Sequence, residues 1–205
     1  MKPVNNLYHI KTLGYEKKGI VYIDGYNWYH AVFKHYPEWK WLNIQSFFEA
    51  LRPREEIIAI KIFSALIHHD ADAVDRQKQY FNALKTLPKV TFIFGIFQPR
   101  SVTCRADCKL PYAVQEEKKT DVNLAVEMMS DAIAGACEQM FVVTGDSDVQ
   151  PAVEWIARNR PNIKLTVYVP ALPKEQADRR TDYYATKNCR WNVISCRWMV
   201  LKTTN

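Results

Sequence analysis

Four aspartates sit where a carboxylate can do chemistry: Asp24 in IVYIDGYN, Asp121 in KTDVNLA, and Asp146 and Asp148 in VVTGDSD. Carboxylates a few Å apart repel, and one of them must take up a proton unless a cation intervenes. A hard divalent ion such as Mg²⁺ relieves that conflict with few carboxylates and retained water. Such an ion can polarise a phosphoryl oxygen and generate hydroxide from its bound water. Asp121, in a first helical turn, is favoured in its ionised form by the helix dipole. Asn27, three residues after Asp24, is placed to orient a carboxylate, a water or a substrate phosphate. Thr144 and Ser147 are donors of the kind that steady ligating carboxylates. Each residue also has an ordinary reading. Asp-Gly after a strand is a turn signal, Asp148 ahead of VQPAVEWI is an N-cap, and Asp121 after Thr120 suits any helix start. It is their joint placement that carries weight.

That placement depends on the elements. Gly19–Ile23 is an apolar run cut off by Asp24-Gly25, the pattern of a buried strand. Further strands are expected at Ile57–Phe63, Val90–Phe97, Met140–Val143 and Leu165–Val169, with a last short one at Trp191–Ser195. Helices are expected at Tyr26–Tyr36, Asn43–Leu51 with Asn43 as N-cap, Asp70–Leu87, Thr120–Ala136, Val149–Arg158 and Glu175–Tyr184. In the Thr120–Ala136 helix, Thr120 reads as N-cap and Val122, Ala125, Val126, Met129 and Ile133 as the inner stripe. In the Asp70–Leu87 helix the inner side is Ala73, Tyr80, Phe81, Leu84 and Leu87. Apolar strands alternating with helices predict an α/β fold: a doubly wound, mostly parallel five-stranded sheet with helices on both faces. In such sheets ligands bind beyond the carboxyl ends of the strands, at the switch point. Asp24, Asp121, Asp146 and Asp148 all belong to that rim. Residues 98–119 lack sustained periodicity and read as a long basic loop, and a stretch of that length in a compact domain is usually functional.

YIDGYN (22–27), EKKTDVNLAVEMM (117–129) and VVTGDSDVQPAVEWI (142–156) together resemble the NYN domain family of PIN-like metal-dependent nucleases. The resemblance covers roughly residues 19–185. It implies a parallel-sheet PIN-like fold and an acidic Mg²⁺ or Mn²⁺ site that hydrolyses RNA. It places Asp24, Asp121 and Asp146 in the metal-binding core. Asp148 is expected to assist or to hold a second ion, and Asn27 to position substrate. Residues 1–18 then form an N-terminal extension, 19–196 the domain, and 197–205 a tail. Two alternatives stay open: a catalytically inactive module that binds RNA or another partner, and an enzyme of another class acting on a small molecule.

A nuclease needs a cationic track, since its substrate backbone is anionic. The chain carries 28 Lys+Arg against 22 Asp+Glu, a net charge of +6 that favours polyanionic partners. Arg100, Arg105, Lys109, Lys118 and Lys119 in the 98–119 stretch, and Lys174, Arg179 and Arg180 beyond the fifth strand, are the candidates for substrate phosphate. Tyr112, Tyr183 and Tyr184 lie among them, and bases stack on such rings. Cys104 and Cys108 resemble the CxxC knuckle of some family members but are spaced by three. Zn²⁺, completed by Cys189 and Cys196 or by His68 and His69, is therefore less favoured than free thiols. With 48% hydrophobic and 24% charged residues the chain is neither disordered nor membrane-like. It has no run approaching the roughly 20 apolar residues of a spanning helix, and neither GxGxxG nor GxxxxGK[ST]. The N-terminus lacks a secretory h-region and the cysteines number five, so a cytoplasmic protein with no membrane partner is expected. Homo-oligomerisation stays open.

Overall fold

The computed structural model describes residues 17–34, 37–68, 70–104, 108–170 and 189–194, with backbone alone at 37–38 and 189–194. Seven strands form one mixed sheet: β1 Lys17–Asp24, β2 Glu55–Ala65, β3 Val90–Thr103, β4 Pro111–Lys118, β5 Gln139–Val143, β6 Lys164–Pro170 and β7 Cys189–Ile194. Their order is β4-β3-β2-β1-β5-β6-β7. All neighbours are parallel except β3 and β4, which are antiparallel. The order therefore reverses between β1 and β5, which is the switch point.

The five-strand expectation is corrected here. The stretch read as a basic loop is a β-hairpin: β3 runs past Phe97 to Thr103, and β4 returns along it from Pro111 to Lys118. Its residues are mostly exposed, so they lack the apolar run that betrayed the central strands. Pro99 faces Gln115 in a two-stranded edge, where a missing N–H is tolerated.

β1 shows why the sheet is covered on both sides. Successive side chains point to opposite faces. Ile20 and Tyr22 pack in one core, and Val21 and Ile23 in the other. The first face is closed by α4 (Thr120–Ala134) and α5 (Gln150–Asn159) through Leu124, Met128, Val153 and Ile156. The second is closed by α1 (Gly25–Trp28, continued as a π-turn to Phe33), α2 (Ile44–Leu51) and α3 (Ala71–Lys85). Trp28, Phe33, Phe47, Phe48 and Leu84 fill it.

Two close approaches fix elements that position the site. A Cβ on Gly25 would lie 2.7 Å from the Phe63 carbonyl oxygen, so α1 can start against β2 only with glycine there. A Cβ on Gly95 would strike Thr120 Oγ1 and stand 2.5 Å from the Lys118 carbonyl oxygen, where α4 begins against β3.

The inner stripe of α4 is also corrected. Thr120, Leu124, Met128 and Ala132 are its buried residues and Met129 packs beside them, while Val122, Val126 and Ile133 are exposed. The helix contains apolar residues on both sides, so spacing alone selects no face. Its N-cap is Lys119, at φ 73°, rather than Thr120. Asn43 does cap α2, accepting from the Ser46 N–H. Asp148 is not an N-cap: α5 is capped by Val149, and Asp146 caps the 3₁₀ turn Ser147–Val149 before it. The expected helix Glu175–Tyr184 lies outside the described residues. Among the described residues no helix is long and apolar enough to cross a membrane.

Candidate active site

Asp24 ends β1, beside the start of β5's exit loop. It is 2% exposed. Its Oδ1 accepts the Asn27 N–H at 2.9 Å, and its Oδ2 accepts Asn27 Nδ2 at 2.5 Å and the Thr144 hydroxyl at 2.9 Å. The ordinary role as cap of α1 is thus real, and the same carboxylate is also cross-linked to the strand on the other side of the switch point. Thr144, fully buried after β5, accepts the Asp146 N–H at 3.0 Å on the hydroxyl that donates to Asp24. Asp146 in turn accepts the Asp148 N–H at 3.0 Å.

On the α4 side, Asp121 sits in the first helical turn. Its carboxyl is pushed up to about 6, first by burial and then by the charges of Asp24, Asp146, Glu117 and Asp148. That electrostatic coupling identifies the cluster: the four aspartates do share one edge. It also adds Glu117, which sequence reasoning had not singled out. Glu117 closes β4, accepts the Thr120 hydroxyl at 2.6 Å, and is raised by burial and by Asp24 against that hydrogen bond. It lay inside the quoted EKKTD block, but only the unforeseen antiparallel pairing with Phe97 carries it to the rim. Asp24 is raised by burial, opposed by its three hydrogen bonds and reinforced by Asp146.

Among the described residues no lysine or arginine forms an ion pair with Asp24, Glu117 or Asp121. The donor set is all hard oxygen, the chemistry of Mg²⁺ or Mn²⁺ rather than of a soft metal. Among the described residues, as placed, no group of three His, Cys, Asp or Glu side chains is drawn together around a single point.

The basic residues divide. Arg100 and Lys118 both lean on Glu116, at 3.6 and 2.8 Å. By register they share the face of β3–β4 opposite to Glu117. Lys119 is exposed at the entry to α4. Arg105, Lys174, Arg179 and Arg180 lie outside the described residues. So do Cys196, the Cys189 side chain and His69. Cys104 and Cys108 are unbridged at the tip of the hairpin, which the Cys104 N–H closes on the Leu110 carbonyl at 2.9 Å. The Cys108 thiol is lowered by a backbone hydrogen bond at Leu110 and by Cys104.

Beside Asp24 lies a cavity of about 410 Å³ that sequence reasoning had not located. Its aromatic wall comes from four separate elements, α1 with its π-turn, the 3₁₀ turn Pro37–Trp41, α3 and β3, so no local motif announces it.

A family model of the NYN domain matches residues 18–186. The chain belongs to the NYN domain family. NYN domains are PIN-like nucleases as a family. A curated relative, 6-hydroxy-3-succinoylpyridine 3-monooxygenase HspA of Pseudomonas putida, is 29% identical over 185 residues, spanning 73% of this chain. This NYN chain covers 58% of that relative's length. A crystal structure of a protein of unknown function from Vibrio parahaemolyticus RIMD 2210633 superposes with a TM-score of 0.56 at 19% identity, covering 87% of this chain and 93% of the other. That likeness concerns the fold.

Proposed function

We propose that this NYN domain is a divalent-cation-dependent ribonuclease whose reaction takes place at the β1/β5 switch point. The observation that carries the reading is the gathering of Asp24, Glu117, Asp121, Asp146 and Asp148 on one edge, with the Asp121 carboxyl pushed up to about 6 by burial first and by these charges second. Uncompensated, that cluster costs folding energy, and a fold keeps such a cost where function needs it. Asp24, Asp121 and Asp146 would hold the ion, with Asp148 and Glu117 beside them, once their side chains turn inward to share it. When bound, Mg²⁺ or Mn²⁺ polarises a phosphodiester oxygen and activates water near neutral pH.

The chain's own residues do the rest. Asn27 and Thr144 fix the orientation of Asp24 through three hydrogen bonds, leaving Oδ1 the less committed oxygen. Thr144 ties that orientation to Asp146, so the two strand ends move together. Asp121 would sit beside such an ion as a carboxylate, since a cation there would offset both the burial and the neighbouring negative charges that raise it.

The test is cleavage of end-labelled single-stranded RNA with Mg²⁺ or Mn²⁺ and with EDTA, using Asp146→Asn beside the wild type. The reading expects loss of cleavage in EDTA and a fall of at least about 100-fold in the variant. Undiminished cleavage in both would remove it. A second reading, an enzyme acting on a small heteroaromatic compound, is favoured by the aromatic cavity and by the activity for which the Pseudomonas relative is named. RNA left intact with every cation, together with consumption of 6-hydroxy-3-succinoylpyridine, would put that reading first.

A further inference from the structure

The cavity beside the acidic edge has the size and chemistry of a nucleotide pocket. Its volume, about 410 Å³, falls in the range of roughly 300–1,000 Å³ typical of small-ligand sites. Tyr26, Trp28, Tyr29, Trp41, Tyr80 and Phe97 give it aromatic surface on several sides. Tyr26, Tyr29 and Trp41 are 51%, 42% and 65% exposed, so three of the rings are open to an incoming ligand. Trp28, in the same lining, is 2% exposed and its indole N–H is buried with no acceptor.

Two cations belong to the lining. Lys40 stands 5.8 Å from the Tyr29 ring centroid, and Arg76 is exposed on α3. Glu117 lines the cavity and also belongs to the acidic cluster, and Gly25 adjoins Asp24 in the chain, so the two sites are contiguous. A planar π-face for the exposed rings to stack on, and an anion for a lysine and an arginine, together describe a nucleobase with its phosphate.

We propose that this cavity is a base subsite, seating one unstacked nucleobase of the strand that the acidic edge cleaves, with Lys40 and Arg76 on its phosphate. The inference rests on the nuclease reading above. It implies a preference for single-stranded RNA, because a base inside a duplex cannot leave the stack without added cost.

Calorimetric titration of the full chain in EDTA with the four ribonucleoside 5′-monophosphates, ribose 5-phosphate and a free pyridine carboxylate tests the pocket apart from catalysis. At least one nucleotide should bind at least about tenfold more tightly than ribose 5-phosphate. Trp41→Ala and Arg76→Glu, both at exposed positions, should each weaken it by a similar factor with an unchanged circular dichroism spectrum. Equal affinity for nucleotide and ribose 5-phosphate, or wild-type nucleotide binding in both variants, overturns the proposal. So does tighter binding of the pyridine carboxylate than of every nucleotide. Failure of the nuclease reading shows separately, as wild-type protein that binds nucleotide but leaves RNA uncut.

Discussion

Thr144 is a small residue with a large share of the site's order. Its hydroxyl donates to Asp24 out of water and accepts from the N–H of half-buried Asp146. Thr144→Val keeps the shape and removes both partners. It should cost about 1–3 kcal/mol in urea unfolding, since the buried Asp24 carboxylate loses a donor and the half-buried Asp146 N–H an acceptor. It should also lower RNA cleavage, while Thr144→Ser restores both. An equally stable valine variant would show the bridge to be idle. At this scale the sequence was informative about residue type: Asp24, Asp121, Asp146 and Asp148 stand on one edge as their motifs implied, and Thr144 is a donor to Asp24. It was silent about Glu117, because that residue reaches the edge through a strand pairing that its own neighbours do not encode. Cap assignment also failed where two candidates were adjacent. Thr120 gives its hydroxyl to Glu117 and leaves the cap position to Lys119, and Val149 takes the cap of α5 that Asp148 reads as filling.

At the scale of elements, the site depends on two glycines holding helix starts against strand ends. Gly95→Ala places a methyl group against Thr120 and against the Lys118 backbone, neither of which is the far end of a flexible side chain. Overpacking of this kind costs about 1–3 kcal/mol. The first turn of α4 must shift to relieve it, and Asp121 lies in that turn, so cleavage should fall as well as the urea midpoint. Gly135→Ala, at the φ 65° end of the same helix with open space around it, is the control. It should cost stability alone and leave cleavage unchanged. The central strands were legible because strands buried on both faces read as apolar runs. The β3–β4 hairpin was not, since a two-stranded exposed edge carries no such pattern and its charges mimic a loop. The face of α4 was misread for a different reason. Val122, Val126 and Ile133 have helical spacing as good as that of Leu124, Met128 and Ala132, and only the neighbouring strands decide between them.

The whole molecule joins a positively charged chain to a locally negative edge, and that edge makes stability depend on pH. Asp121 is raised from 3.8 to about 6 on folding, and Asp24 and Glu117 are raised too. Between pH 3.8 and about 6 the folded chain therefore binds more protons than the unfolded one, and stability must fall as pH rises through that window. Without divalent ions, the urea midpoint should decline from about pH 4 to about pH 6 through these groups. Adding Mn²⁺ at neutral pH should recover it, by about 2.7 kcal/mol at a hundredfold excess over the dissociation constant. A midpoint that rises steadily across the window and ignores Mn²⁺ would contradict this. Glu116 has the opposite shift but lies at the surface beside Lys118 and Arg100, where water screens it, so it contributes little. Charge composition had pointed only to polyanions.

The nuclease reading rests on the carboxylates sharing a cation. Calorimetric titration of Mn²⁺ into the wild type, Asp24→Asn and Asp121→Asn near neutral pH measures that directly. The wild type should bind Mn²⁺ saturably with proton release, and each variant should bind at least about tenfold more weakly while remaining folded. No saturable binding by the wild type, or equal affinity in all three proteins, would contradict the acidic edge as a metal centre.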